Sequence, residues 1–167
     1  MSDQNHIGAP VAVVTGGSRG LGRGIAAALV EEGFRVFATG RTISTAKLPD
    51  RVVRITCDHT CDKDTERAFA RVAEEANRID VLVNSAWGGY ERMSEDGRFT
   101  WSAPFWEQPA HRWASMMDVG VRAAWICASH AANDDHARKR VDCQHWLLGG
   151  AEISWECALR RSKGGDG

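Results

Sequence analysis

The chain has 167 residues, 43% of them hydrophobic, and a formal net charge of −1. This length predicts one domain with a substantial core, and the near-zero charge gives no electrostatic case for a nucleic-acid partner or an anionic membrane. The sequence lacks an apolar run of about 18 residues that would span a membrane and has no signal-peptide pattern, and its five cysteines indicate free thiols in a reducing cytoplasm.

The first predicted unit is a strand, a glycine-rich turn and a helix. Val11 to Thr15 is a short apolar run typical of a buried parallel strand. Glycines follow at 16, 17, 20 and 22, and a helix-forming run ends at Gly33. Glycines let a backbone approach a pyrophosphate closely, and a helix N-terminus offers N–H groups to phosphates. This order predicts a dinucleotide-binding loop.

The next elements continue an alternating pattern. Residues 35–39, 52–56 and 81–83 read as strands, and residues 62–77 as an amphipathic helix. A loop or short helix from Thr42 ends at Pro49. Strands that alternate with helices predict an α/β fold, a Rossmann-like doubly wound parallel sheet with strand order 3-2-1-4.

An aromatic insertion follows the fourth strand, over residues 88–108. Its place at the carboxyl end of a strand favours a flap over a substrate, whereas a packed surface loop is the alternative. Residues 109–132 then predict a helix, with Pro109 in its first turn. Its predicted apolar stripe consists of Trp113, Met117, Val121, Ala124 and Ala128.

Three segments resemble the short-chain dehydrogenase/reductase family over residues 9–132. Residues 15–22 match its T-G-x-x-x-G-x-G loop, Asp58 sits where the family has an adenine-contacting Asp, and residues 84–88 (NSAWG) look like a variant of its N-N-A-G segment. Ser85 and Trp87 depart from that segment. The resemblance implies that the cofactor contacts are Thr15, Gly16, Ser18, Arg19, Gly20, Leu21, Gly22, Arg41, Asp58, His59, Asn84 and Ala86.

The second strand also bears on the choice of cofactor. NAD-binding proteins place an acid at its end, and NADP-binding proteins place an arginine nearby. This chain has Thr39-Gly40-Arg41 there and Arg19 in the glycine loop, without a carboxylate. The pattern favours NADP over NAD. The alternative is that Arg41 is a solvated surface residue and either cofactor is used.

The catalytic residues that the resemblance implies are missing. The family uses a tyrosine as general acid and a lysine four residues later, which lowers the tyrosine pKa. Tyr90 is the only tyrosine, and Ser94 is four residues beyond it. Asp118 stands where the family has a helix asparagine. We therefore predict that hydride transfer by this chain is impaired, and we assign no residue a catalytic role.

The last part of the chain does not continue the pattern. Residues 133–167 contain only five residues of the Leu, Ile, Val and Phe types. Such a composition is not typical of a Rossmann core. The sequence therefore predicts an NAD(P)-binding domain over residues 1–132 and a disordered or irregular tail over 133–167, with the sheet truncated before its fifth strand.

The genetic code suggests a cause for this change. When the codons for residues 133–167 are read one base later, permitted synonymous codons spell a short apolar strand and then Tyr-x-x-x-Lys at the family's spacing. We hypothesise that the tail is a frame-shifted reading of the catalytic segment. The alternative is that the freedom of synonymous codons allows such a string to be written by choice.

Other function classes have less support. The cysteines and histidine of residues 57–61 lack a second ligand pair, so we expect no metal site. The leading prediction is an oxidoreductase acting on a small carbonyl or alcohol. The alternatives are a non-catalytic NADP-binding protein and an unstable truncated product. A homo-oligomer is possible, but the predicted truncation argues against it.

Overall fold

A computed structural model describes residues 8–89 and 93–132, together with the backbone of residues 144–148 and 151–153. Its first half alternates strands with helices, as the apolar runs predict. The strands are β1 (Val11–Thr15), β2 (Arg35–Gly40), β3 (Val53–Thr56) and β4 (Val81–Asn84). The helices are α1 (Gly20–Glu31) and α2 (Asp62–Ala76), and a short 3-10 turn covers Ile43–Thr45.

These four strands form a parallel sheet in the order β3-β2-β1-β4. Val13 of β1 lies beside Phe37 of β2 on one side and Leu82 of β4 on the other. Phe37 in turn pairs with Val53 of β3. The predicted doubly wound order is therefore confirmed.

The sheet buries both of its faces. On β1, Val11 and Val13 pack with residues of α2, including Phe69 and Val72. The alternate residues Ala12 and Val14 pack into a second cluster, on the side of α1. The near-continuous apolar run of β1 follows from this arrangement, because a parallel strand covered on both faces needs apolar side chains in both directions.

The insertion after β4 contains more regular structure than the sequence predicts. Two short strands, β5 (Ser94–Glu95) and β6 (Arg98–Phe99), pair in antiparallel fashion. Asp96 and Gly97 connect them with φ angles of 48° and 74°, the conformation that a two-residue hairpin turn needs. A 3-10 turn over Phe105–Glu107 follows.

The helix predicted over 109–132 is present but interrupted. It consists of α3 (Ala110–Ser115), a π-helical segment (Met116–Arg122) and α4 (Ala123–Ala132). The predicted apolar stripe does not hold, because Trp113 is 68% exposed and Val121 is also exposed, whereas Arg112 and Gly120 are buried. The i→i+5 bonds of a π-helix widen its turns, so positions counted at a period of 3.6 no longer share one face.

The tail contributes two strands that the sequence did not predict. β7 (Gln144–Leu148) pairs with β4 in parallel, and β8 (Ala151–Ile153) pairs with β7 in antiparallel fashion. The sheet therefore continues as β3-β2-β1-β4-β7-β8, and β4 is not an open edge. Unpaired N–H and C=O groups along such an edge favour this addition of a strand.

None of the helices in the described part of the chain is long and apolar enough to cross a membrane.

Candidate functional site

The candidate site lies at the carboxyl ends of β1 to β4. These strands end at Thr15, Gly40, Thr56 and Asn84. Because the strands are parallel, the loops that follow them meet at one edge of the sheet. Open α/β sheets bind ligands in this crevice.

The glycine loop packs directly against the loop that follows β4. Gly16 has a φ of 69°, and a Cβ on it would lie 2.7 Å from the backbone N and Cα of Ala86. A Cβ on Gly22 would lie 3.0 Å from the Ser85 hydroxyl oxygen and 2.5 Å from the carbonyl oxygen of Gly16. Both positions therefore require glycine, and the predicted contacts Gly16, Gly22 and Ala86 are brought together.

Thr15 holds the same two loops together through its side chain. The residue is fully buried, and its hydroxyl oxygen accepts hydrogen bonds from the backbone N–H groups of Ser85 and Ala86, each at 3.1 Å. The hydroxyl also lies 3.5 Å from the Val83 carbonyl oxygen, to which it donates. These bonds use the hydroxyl inside the protein, where it fixes the loop after β4, and the cofactor contact of Thr15 stays a prediction.

The start of α1 has the properties of an anion site. Arg19 occupies the N-cap position without a side-chain capping bond, and the first turn contains no acidic residue. Within the described part of the chain, the buried Ser18 hydroxyl oxygen has no hydrogen-bond partner. Gly20 has a φ of 54° with open space around it, and Leu21 is exposed. Unsatisfied N–H groups and a free hydroxyl beside a glycine cradle fit a pyrophosphate.

Asp58 lies beside Arg41 at the ends of β3 and β2. Its carboxylate accepts a hydrogen bond from the Thr60 backbone N–H at 3.0 Å and one from the Thr60 hydroxyl at 2.8 Å. The backbone bond lowers the pKa of Asp58 most, and the Thr60 hydroxyl and the Arg41 charge lower it further. The carboxylate is thus ionised at neutral pH, and two of the predicted contacts are neighbours.

His59 follows Asp58 and turns its side chain into the interior. Its side chain is only 6% exposed, and its Nε2 lies 2.8 Å from the hydroxyl oxygen of Thr39. Burial lowers its pKa to about 4, although Asp58 and Asp64 act in the opposite direction. The imidazole is thus uncharged at neutral pH and bonded inside the protein, and the cofactor contact of His59 stays a prediction.

Asn84 joins the end of β4 to α4. Its side-chain amide donates to the Ala124 carbonyl oxygen at 3.4 Å, and its Oδ1 has no hydrogen-bond partner among the residues that the structure describes. One acceptor of Asn84 therefore remains for a ligand.

A buried arginine organises the insertion beside this site. Arg112 of α3 is 4% exposed and donates to the Thr100 hydroxyl at 2.9 Å and to the Thr100 carbonyl oxygen at 3.2 Å. It also bonds to Gln108 and lies 5.3 Å from the ring centre of Trp101. Sequence reasoning missed this residue, because an arginine in an amphipathic helix is normally placed on the solvent side.

The comparisons with known proteins agree with this geometry. The family model described as short chain dehydrogenase matches residues 10–140. The chain belongs to the short chain dehydrogenase family. It is 37% identical over 131 residues to Dehydrogenase/reductase SDR family member 1 of Mus musculus, covering 73% of this chain and 41% of that protein.

A further relative and a solved structure are less similar to this chain in sequence. A rhamnolipids biosynthesis 3-oxoacyl-[acyl-carrier-protein] reductase of Pseudomonas aeruginosa is 31% identical over 70% of this chain and 44% of its own length. The crystal structure of a short chain dehydrogenase from Bacillus anthracis superposes with a TM-score of 0.57 and 25% identity, over 72% of this chain and 48% of that one. The chain thus spans less than half the length of these relatives.

The family's catalytic positions are only partly described. Asp118 is exposed on the π-helical segment. Arg122 pairs with Asp62 at 2.8 and 2.6 Å, and this pairing raises the pKa of Arg122, as does the Asp118 charge to a smaller degree.

Tyr90 lies outside the described residues, as does most of the tail for which a frame shift is hypothesised. In the ranges that are described, no three His, Cys, Asp or Glu residues are grouped to hold a metal ion.

Proposed function

We propose that residues 8–132 form the NADP(H)-binding half of an oxidoreductase that acts on small carbonyl or alcohol compounds. The observation that carries the proposal is the close packing of Gly16 against Ala86 beside an uncapped α1. A dinucleotide lies across such a junction in this fold. The relatives named as dehydrogenases and reductases support the reaction class.

Each part of the cofactor has a candidate partner in this chain. The Ser18 hydroxyl and the N–H groups at the start of α1 would hold the pyrophosphate, and Asp58 would contact the adenine. Arg41 and Arg19 would bind the 2′-phosphate that distinguishes NADP from NAD. Once bound, the nicotinamide ring supplies or accepts a hydride, and the task of these residues is to hold and orient it.

Cofactor titration tests the choice between NADP and NAD. We expect NADPH to bind more tightly than NADH. Arg41→Ala should weaken NADPH binding about 10–100-fold, because a hydrogen bond to a charged group contributes about 1.5–3 kcal/mol. NADH binding should not change. Lys47→Ala, which removes another exposed cation after β2, is the matched control.

Equal affinity for the two cofactors, with no effect of Arg41→Ala, would support the alternative in which Arg41 is only solvated. Arg19→Ala tests the second cation in the same way.

We propose further that hydride transfer by this chain is impaired. The sequence has no Tyr-x-x-x-Lys pair, and Asp118 replaces the family's asparagine. NADPH oxidation measured with a panel of carbonyl compounds should therefore be far slower than in intact enzymes. A turnover of about 1–10³ s⁻¹ would contradict this proposal.

The missing pair also favours a second candidate, a non-catalytic NADP-binding protein. Cofactor binding without turnover would support it. A cooperative thermal transition that rises with added NADP would exclude the third candidate, an unstable product. Sequencing the coding DNA tests the frame-shift hypothesis, which fails if the shifted frame does not spell Tyr-x-x-x-Lys. From the five cysteines, read as free thiols in a reducing compartment, we also propose a cytoplasmic location.

A further inference from the structure

A buried histidine connects the two loops that would hold the adenosine end of the cofactor. The carbonyl oxygen of Thr39 accepts the Gly17 N–H at 2.9 Å, which ties the glycine loop to β2. The hydroxyl of the same Thr39 lies 2.8 Å from Nε2 of His59. Because Asp58 directly precedes His59, the glycine loop and Asp58 are both tied to one imidazole ring.

The other ring nitrogen is held from two further elements. Nδ1 of His59 lies 3.7 Å from the sulfur of Cys57 and 3.6 Å from that of Cys127 in α4. Burial raises the pKa of Cys57 to about 11 and that of Cys127 to about 12. Both groups are therefore protonated thiols that can donate to Nδ1.

These contacts satisfy both ring nitrogens. A neutral imidazole has one donor nitrogen and one acceptor nitrogen. In one tautomer Nε2 donates to the Thr39 hydroxyl oxygen and Nδ1 accepts from a thiol, and in the other Nε2 accepts from that hydroxyl and Nδ1 donates to a sulfur, so the bond to Thr39 is present in both. The ring is therefore fixed at both ends, and Thr39 cannot shift along β2 without losing a buried hydrogen bond.

We infer that His59 is a positioning residue, which sets the spacing between the glycine loop and Asp58 through Thr39. This inference rests on the proposed function, because it concerns binding of the adenosine part of NADP(H). It concerns a side chain that is bonded inside the protein, through Thr39.

Two amide substitutions separate the two ends of the ring. In His59→Gln, the longer side chain places an amide near the position of Nε2, within reach of Thr39. In His59→Asn, the amide reaches only the position of Nδ1. Thr39→Val removes the hydroxyl and keeps the branched shape. The three variants thus differ in whether they keep the bond between residues 39 and 59.

The experiment measures the affinity of the full chain for NADPH and for adenosine 2′,5′-bisphosphate by calorimetry, well below the thermal transition of each variant. We expect His59→Gln to stay within about threefold of the original chain, and His59→Asn and Thr39→Val each to lose about five- to tenfold for both probes. The double variant, His59→Asn with Thr39→Val, should lose no more affinity than the single variant that binds more weakly, because both substitutions remove the same hydrogen bond.

A control distinguishes positioning from general loosening. Val72→Ala removes volume from the core cluster that contains Cys57 and Cys127 and leaves the hydrogen-bond partners of the ring in place, so it should lower the thermal transition and leave both affinities unchanged. In the absence of nucleotide, hydrogen exchange in a peptide covering residues 16–22 should be faster in Thr39→Val than in Val72→Ala.

The outcomes are separable. If the original chain binds neither probe, the proposed function fails and this inference fails with it. If the chain binds both probes and all variants bind equally, only the positioning role of His59 is refuted. The same holds if Val72→Ala loses as much affinity as Thr39→Val. If His59→Asn does not fold, Thr39→Val and the exchange measurement still decide.

Discussion

Substitution of three glycines by alanine separates backbone strain from close packing in the candidate site. Gly16 has a φ of 69°, and a Cβ there would lie 2.7 Å from backbone atoms of Ala86 and Ser85. Gly20 has a φ of 54° but no heavy atom within 4 Å of its Cβ position. Gly24, inside α1, also has open space, and its φ is outside the left-handed region.

The expected free energies follow from this geometry. Gly20→Ala should cost about 1–2 kcal/mol, the strain of a left-handed alanine. Gly16→Ala carries the same strain and a backbone overlap that costs about 1–3 kcal/mol more. Gly24→Ala should stabilise α1 by about 0.5–1 kcal/mol, because alanine favours helix more than glycine does.

Urea unfolding followed by circular dichroism measures these differences. NADPH titration of the same variants measures their affinity for the cofactor. Gly16→Ala should weaken binding most, because it separates the glycine loop from the loop after β4. If Gly16→Ala and Gly20→Ala cost the same within about 0.5 kcal/mol, a threshold near the usual limit of additivity, the close approach to Ala86 has no energetic role.

Three further predictions concern stability. Burial lowers the pKa of His59 from 6.5 to about 4, so below pH 6.5 the unfolded chain binds a proton that the folded chain does not. Acidification to pH 4 should therefore lower the free energy of unfolding by about 3 kcal/mol. His59→Gln should remove this part of the pH dependence, as measured by urea unfolding. Thr15→Val leaves two backbone N–H groups without their acceptor and should cost about 2–4 kcal/mol in the same assay at pH 7. Gly120→Ala places a Cβ against the ring of Trp87 and should cost about 1–3 kcal/mol, with a shift of one indole N–H signal in NMR spectra.

Each of these predictions has a contradicting result. An unchanged pH dependence in His59→Gln would mean that the histidine is accessible in the folded chain. A loss below about 0.5 kcal/mol in Thr15→Val would mean that water replaces the lost acceptor. An indole spectrum unaffected by Gly120→Ala would show that Trp87 does not pack on that glycine.

The sequence was sufficient to predict those elements whose signal lies in a few neighbouring residues. Each apolar run lies within a few residues of the turn that ends it, as β1 does of its glycines, so the strands, their alternation with helices and the glycine loop could be predicted. The family of the chain followed from the same residues.

The features that the sequence did not predict depend on distant contacts or on departures from a regular period. Two partners of the His59 ring, Thr39 and Cys127, are 20 and 68 residues away along the chain. The π-helical segment breaks the 3.6 period, so the burial of Gly120 and the exposure of Trp113 could not be counted from a helical wheel. The pairing of β7 with β4 depends on a free strand edge, which composition does not reveal.

The anchoring of the insertion has a consequence for the order in which the chain acquires its structure. The hairpin of β5 and β6 is too small to be stable in water by itself. Arg112 of α3 is synthesised later and bonds to Thr100, the residue that directly follows β6. During synthesis, residues 93–108 therefore become ordered only after α3 has been made, so this part of the crevice is completed from its C-terminal side.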